Sequence, residues 1–143
     1  MYSKSIEDYI EAIYNIISRK GYVRTKDIAA ELNVTSPSVS AMLKKLQKEG
    51  LVFYEKYGGI TLTPEGEKIA KAVNQRHETL KKLLKIIFVS EDVAEQDACN
   101  LEHSLSHESI TQLTNLVQFI ESRPMELQWL ERFKTFCETG ECE

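Results

Sequence analysis

The order of local signals between Thr25 and Gly66 constrains this chain more than any other feature. The stretch reads "TKDIAAELNVTSPSVSAMLKKLQKEGLVFYEKYGGITLTPEG". A short helix is expected over "TKDIAAELN", with Thr25 as its N-cap. A second follows the tight "NVTS" connection. Ser36 can cap it, and Pro37 suits a first turn where no backbone donor is needed. Val39, Leu43 and Leu46 recur at helical spacing and should face inward, and Gly50 stops the helix. From Leu51 the pattern turns to alternation around Gly58-Gly59, the signature of a β-hairpin. Upstream, "IEDYIEAIYNIISRKG" sets Ile6, Ile10, Ile13 and Ile17 on one stripe and ends at Gly21. Together these elements predict a winged helix-turn-helix over residues 1–63.

Such a motif lays its second helix in the DNA major groove. Thr35, Ser36, Pro37, Ser38 and Ser40 then offer small groups near the helix N-terminus for phosphates and base edges. Lys44 and Lys45 would neutralise phosphate charge further along. Tyr54, Lys56 and Tyr57 would decorate the wing. Taken singly, the serines are also what a soluble helix surface carries; their order and spacing favour DNA.

Residues 64–143 read as entirely helical. Thr63-Pro64 starts a long helix, "PEGEKIAKAVNQRHETLKKLLKIIFV", with Leu80, Leu83, Leu84 and Ile87 on its apolar side. Ser90 caps the next helix, Ser106 another, and Pro124 opens a last one. So small a helical domain has little room for its own core, and a helix-mediated homodimer is expected. The fold class is therefore mainly α: a winged helix with a small hairpin, then a helical domain.

Within that second domain, "CNLEHSLSH" gathers a thiol, a carboxylate and two of the chain's 3 histidines. Helical spacing places Cys99, Glu102 and His103 within about 100° of arc. Spacing alone leaves a metal site and a solvated polar face equally open. His107 and Glu108 read as surface or capping residues.

Charge follows the same division. Residues 1–71 hold 11 Lys and Arg against 9 Asp and Glu, and residues 72–143 hold 7 against 13. A mildly basic front joined to an acidic back suits a nucleic-acid-binding half attached to something else. No apolar run reaches the roughly 18 residues of a membrane span. The acidic N-terminus is no signal peptide, so a cytoplasmic protein is expected. Three widely spaced cysteines make no disulfide framework, and Cys137 and Cys142 read as thiols on a tail.

These pieces resemble one family. "IEDYIEAIY", the winged helix running into "YEKYGGITLTPEGEKIA", "RHE" at 76–78 and "LEHSLS" at 101–106 are similar to the diphtheria-toxin-repressor family of metal-dependent transcription factors. The similarity is closest to its short manganese-transport-regulator branch and covers nearly the whole chain. The resemblance implies a repressor of metal-homeostasis genes activated by Mn2+ or Fe2+, with Zn2+ or other divalent ions able to substitute in vitro. It implies a palindromic double-stranded operator, a homodimer and no membrane partner. Carried over residue by residue, it puts the metal ligands on Asp8, Glu11, His77, Cys99, Glu102 and His103. Bound metal would then clamp the spacing of the two reading heads. Cys99 departs from the pattern: the manganese branch usually has glutamate there, whereas the iron branch has cysteine there and methionine at the place of Asp8. One thiol makes the site softer and keeps iron in play beside manganese. Two other readings compete: a winged-helix regulator sensing thiol oxidation through Cys99, and a small metallohydrolase.

Overall fold

A computed structural model of the chain describes residues 2–55, 59–123 and 128–141. Packing divides it into two compact units, residues 1–74 and 75–143, with the division falling inside one long helix.

The first unit begins with α1 (Lys4–Lys20). Ser3 caps it by accepting from the Ile6 N–H at 3.3 Å, and Gly21 ends it at φ 85°, its N–H donating to the Ile17 carbonyl. That left-handed conformation is open to glycine at no steric cost. The buried arc is broader than the isoleucine stripe, for it includes Tyr9 and Ala12. It takes Ile6, Ile10, Ile13 and Ile16, so Ile17, expected inside, lies half-buried at its margin in the last turn.

Helix α2 (Thr25–Leu32) is capped by Arg24 rather than Thr25. Asp27 reaches back to accept the Arg24 N–H at 2.9 Å and meets the Lys20 ammonium at 3.0 Å. Helix α3 (Ser36–Lys48) is likewise capped one residue earlier than expected. Thr35 accepts the Ser38 N–H at 3.3 Å, and Ser36 is already helical. Two adjacent hydroxyls can both cap, and only the extended backbone of Thr35 (φ −81°, ψ 152°) decides between them.

Val39, Leu43 and Leu46 point inward as expected and join Ile10, Ile13, Ile16, Ile28 and Leu51, all fully buried. Each such side chain contributes about 1.5–3 kcal/mol. Strands β1 (Val52–Glu55) and β2 (Gly59–Leu62) pair antiparallel with Glu55 opposite Gly59. A lone hairpin is marginal in water; burial of Val52 and Ile60 in this core holds it in place. Thr63 then ties the hairpin's end to the next helix. Its hydroxyl donates to the Gly50 carbonyl at 2.7 Å and accepts the Gly66 N–H at 3.1 Å. Gly66 itself lies so close to the Leu51 carbonyl that a Cβ there would collide with backbone.

Helix α4 (Pro64–Ile86) contributes to both units. It stops three residues short of the expected Val89, because Phe88 adopts φ 71°. In the second unit, α4 is followed by α5 (Glu91–Leu101), α6 (His107–Ser122) and α7 (Gln128–Thr139). Leu80, Ala98 and Ile110 form the buried cluster, flanked by Leu105 and Leu113. Leu83 and Leu84 are half-buried, while Ile87, expected on the apolar side, is exposed beside the helix end. Ser90 and Ser106 both sit at N-cap positions; Ser106 accepts from the Ser109 N–H, whereas Ser90 makes no such side-chain bond. Pro124 falls outside the described residues, as does Cys142.

Candidate metal centre and DNA-binding helix

On α3, Thr35, Ser36, Pro37, Ser38, Lys44 and Lys45 are exposed, and Ser40 is half-buried. Lys56 and Tyr57 lie outside the described residues. A basic cluster beyond the expected set stands at the α1–α2 junction. The Lys20 ammonium and the Arg24 guanidinium lie 5.0 and 5.3 Å from the ring centre of exposed Tyr22. The run "RKGYVRTK" carried that signal, for four of its eight residues are basic.

The acidic pair Asp8 and Glu11 sits in the first unit on α1, both half-buried beside buried Glu7. The other four expected ligands belong to the second unit. Helix α5 ends at Leu101, so Cys99 is on the helix, Glu102 is its C-cap and His103 lies in the turn beyond. The expectation that one helix carries all three is thus corrected. The reason is that "CNLEHSLSH" contains no glycine or proline to mark a stop.

Glu102 is the centre of this group. Its residue is 1% exposed, yet it carries a carboxylate. One oxygen lies 2.9 Å from His77 Nδ1 on α4, and the other 3.2 Å from His103 Nε2. Arg76 donates to the Glu102 carbonyl at 3.0 Å, placing a cation at the negative end of the α5 dipole. A carboxylate so far out of water is costly unless it is paired or ligates a cation. Two imidazoles at its two oxygens supply pairing, and the same nitrogen and oxygen donors suit a divalent metal.

His77 also faces outward. Its Nε2 is 2.9 Å from a Glu95 carboxylate oxygen on α5, whose other oxygen meets the Lys81 ammonium at 3.0 Å. Burial works against a charged His77 ring, but the Glu95 hydrogen bond and the charges of Glu102 and Glu95 outweigh it and raise its pKa. The Lys81 hydrogen bond, opposed by burial and helped by His77, lowers that of Glu95. Ligand atoms of His77, Glu95 and Cys99 all lie within 4.8 Å of one another. Cys99 is exposed and so is not a core residue.

Glu95 was missed by sequence reasoning. It stands one helical turn before Cys99 in "EDVAEQDAC", where it reads as one more acid on a solvated face. Its spacing of four from Cys99 was the available signal. His107 and Glu108 are exposed at the start of α6, as expected.

Comparison with known proteins follows the same division. Residues 1–60 match the N-terminal DNA binding domain of the iron dependent repressor family, and residues 63–131 match its metal binding and dimerisation domain. The HTH-type transcriptional regulator MntR of Lysinibacillus sphaericus (strain C3-41) is 47% identical over 135 residues, covering 94% of this chain and 97% of the relative. The MntR of Geobacillus kaustophilus (strain HTA426) is 42% identical over 141 residues, covering 99% of this chain and all of the relative. Among solved structures, the manganese regulator SloR superposes with a TM-score of 0.68 at 30% identity, covering 83% of this chain and 55% of that one. A manganese-dependent transcriptional repressor in complex with manganese gives a TM-score of 0.71 at 27% identity, covering 80% of this chain and 53% of that one. The chain thus spans about half the length of those solved regulators. These relatives are transcriptional regulators, and none of them favours a hydrolase or a thiol sensor. No helix among the described residues is long and apolar enough to cross a membrane. The chain belongs to the iron-dependent repressor family, as a metal-dependent DNA-binding transcriptional repressor that carries the family's dimerisation domain.

Proposed function

We propose that this protein is a cytoplasmic corepressor-dependent switch: Mn2+ or Fe2+ enables its homodimer to bind a palindromic operator controlling metal-homeostasis genes. The observation that carries the reading is Glu102, a carboxylate withdrawn from water with a histidine nitrogen at each oxygen. The ligand set is Asp8, Glu11, His77, Cys99, Glu102 and His103, with the first two entering through the family motif. Residues 1–63 read DNA, with Thr35, Ser36, Pro37, Ser38 and Ser40 near base edges and phosphates. Lys44, Lys45, Lys56 and Tyr57 serve the backbone. Manganese is favoured by the names of the relatives, whereas Cys99 keeps Fe2+ in play. Leu116, Phe119, Trp129 and Phe136 on α6 and α7 are exposed apolar groups suited to a face shared with a second copy.

The test is equilibrium binding of operator DNA by the full chain, followed by fluorescence anisotropy under anaerobic conditions. Chelated protein should bind only weakly and with steep salt dependence, and Mn2+ or Fe2+ should tighten binding by at least about tenfold, a coupling of roughly 1.4 kcal/mol. Metal-free protein that binds a specific operator as tightly as loaded protein would refute the reading.

A further inference from the structure

We infer that Tyr22 holds Lys20 and Arg24 in place as a second DNA-backbone contact of the reading head, with Arg24 gripping a phosphate beside the groove that α3 enters. The connection from α1 to α2 is only four residues long, Gly21 to Arg24. Gly21 closes α1, and Val23 is buried in the core of the first unit, so the segment is fixed. Tyr22 stands between them with half of its surface in water. The Lys20 ammonium and the Arg24 guanidinium lie 5.0 and 5.3 Å from its ring centre, within reach of the negative face of the ring.

Charge decides what such a cluster can meet. The eight residues from Arg19 to Lys26 carry four cations and no acid. Two carboxylates follow on α2, and each already has a partner: Asp27 takes the Lys20 ammonium at 3.0 Å, and Glu31 meets Arg19 at 3.6 Å. Lys20 thereby neutralises the acid that would otherwise repel a phosphate at the start of α2. The Arg24 guanidinium makes no ion pair among the described residues. Its planar fork fits phosphate oxygens. Because the ring orders both cations beforehand, less rotamer freedom is lost when DNA arrives.

The place of the cluster in the fold points to the DNA backbone. In a helix-turn-helix the first helix crosses the backbone while the second lies in the major groove. Helix α2 has 8 residues, about 12 Å of rise, and the major groove is about 12 Å wide. With the start of α3 over base edges, the start of α2 reaches the strand that borders the groove. The inference rests on DNA binding through α3 and adds residues that the α3 and wing set does not contain. A brace for the end of α1 is the competing role, since Lys20 also suits the negative end of that helix. Salt dependence separates the two.

The experiment selects a duplex from a random-sequence library with the Mn2+-loaded full-length protein and follows its binding by fluorescence anisotropy across a salt series. Arg24→Gln should weaken binding several-fold at low salt and reduce the slope of log affinity against log salt by roughly one. Tyr22→Leu keeps both charges, so the slope should stay while affinity falls several-fold at every salt concentration. Tyr22→Phe keeps the ring and should recover most of that loss. Circular dichroism and urea unfolding check that each variant is folded. An unchanged slope in Arg24→Gln, or Tyr22→Leu binding as tightly as wild type, would overturn the inference and leave the cluster a helix brace. The wild type is also titrated without metal on the same duplex. Equal binding with and without Mn2+ would strike the metal switch, while the comparison of variants with wild type would still decide this contact.

Discussion

In the first unit, the large side chains fully removed from water include Ile10, Ile13, Ile16, Ile28, Leu43, Leu46 and Leu51, all apolar; in the second, among the described residues, the corresponding side chain is Glu102. The first unit is held by burial of hydrocarbon, which needs no ligand. Among the described residues, the second has a smaller apolar cluster of Leu80, Ala98 and Ile110, flanked by Leu105 and Leu113, with a charged group close by. A buried carboxylate stabilises nothing by itself and is tolerated through its partners. The difference predicts a reading head that folds whether or not metal is present and a sensing unit whose stability responds to what its polar groups meet.

The largest expected effect tests this division directly. Leu46→Ala should cost about 2–5 kcal/mol of the first unit's stability, because a fully packed site relaxes little around a cavity. Ile110→Ala, in the thinner and partly exposed cluster, should cost an amount at the low end of that range. Urea unfolding of each variant, with and without Mn2+, measures both. Metal should offset the loss in Ile110→Ala more than in Leu46→Ala. Equal metal rescue of the two would erase the distinction drawn between the units.

A smaller effect is expected at Glu102. Glu102→Gln keeps the shape but can accept from only one of the two rings through oxygen and carries no charge to balance a cation. Metal affinity, by calorimetric titration, should fall by at least about tenfold while helix content persists. If instead the metal-free protein lost stability and metal affinity stayed the same, Glu102 would be a structural polar core residue and the sensing centre would lie elsewhere.

The contrast also explains what the sequence made legible. Elements of the first unit announce themselves through apolar period, through Gly21 and Gly50 as stops, and through Thr63-Pro64 as a start. Errors there are of one residue, at Thr25 against Arg24 and Ser36 against Thr35. In the second unit the ends of α4 and α5 went unmarked. Phe88 takes a left-handed conformation with no glycine to signal it, and Glu102 closes α5 as its C-cap with no glycine or proline after it, its carboxylate meeting two histidines. His77, Glu102 and His103 were legible through a motif. Glu95 was not, since only the packing of α4 on α5 brings it to His77. Sequence periodicity reports which face is apolar; it says little about which polar groups meet across two helices.

The smallest effect lies in the reading head and concerns acid. The Lys20 hydrogen bond, followed by the Arg24 N–H, holds the Asp27 carboxyl below its usual pKa. A carboxylate whose folded pKa is depressed contributes stability that is present above the unfolded pKa and lost as pH falls through the folded one. Asp27 also closes the start of α2, so protonation should loosen the first helix of the helix-turn-helix before the core yields. Asp27→Asn should flatten the acid limb of the first unit's stability without changing its behaviour at neutral pH by more than a small amount, since the pair is near the surface. Thermal melts of wild type and variant across the carboxylate titration range make the comparison. The two curves should converge as pH falls. Parallel curves at all pH values would mean that the Asp27 pairing does not set the acid sensitivity of this unit.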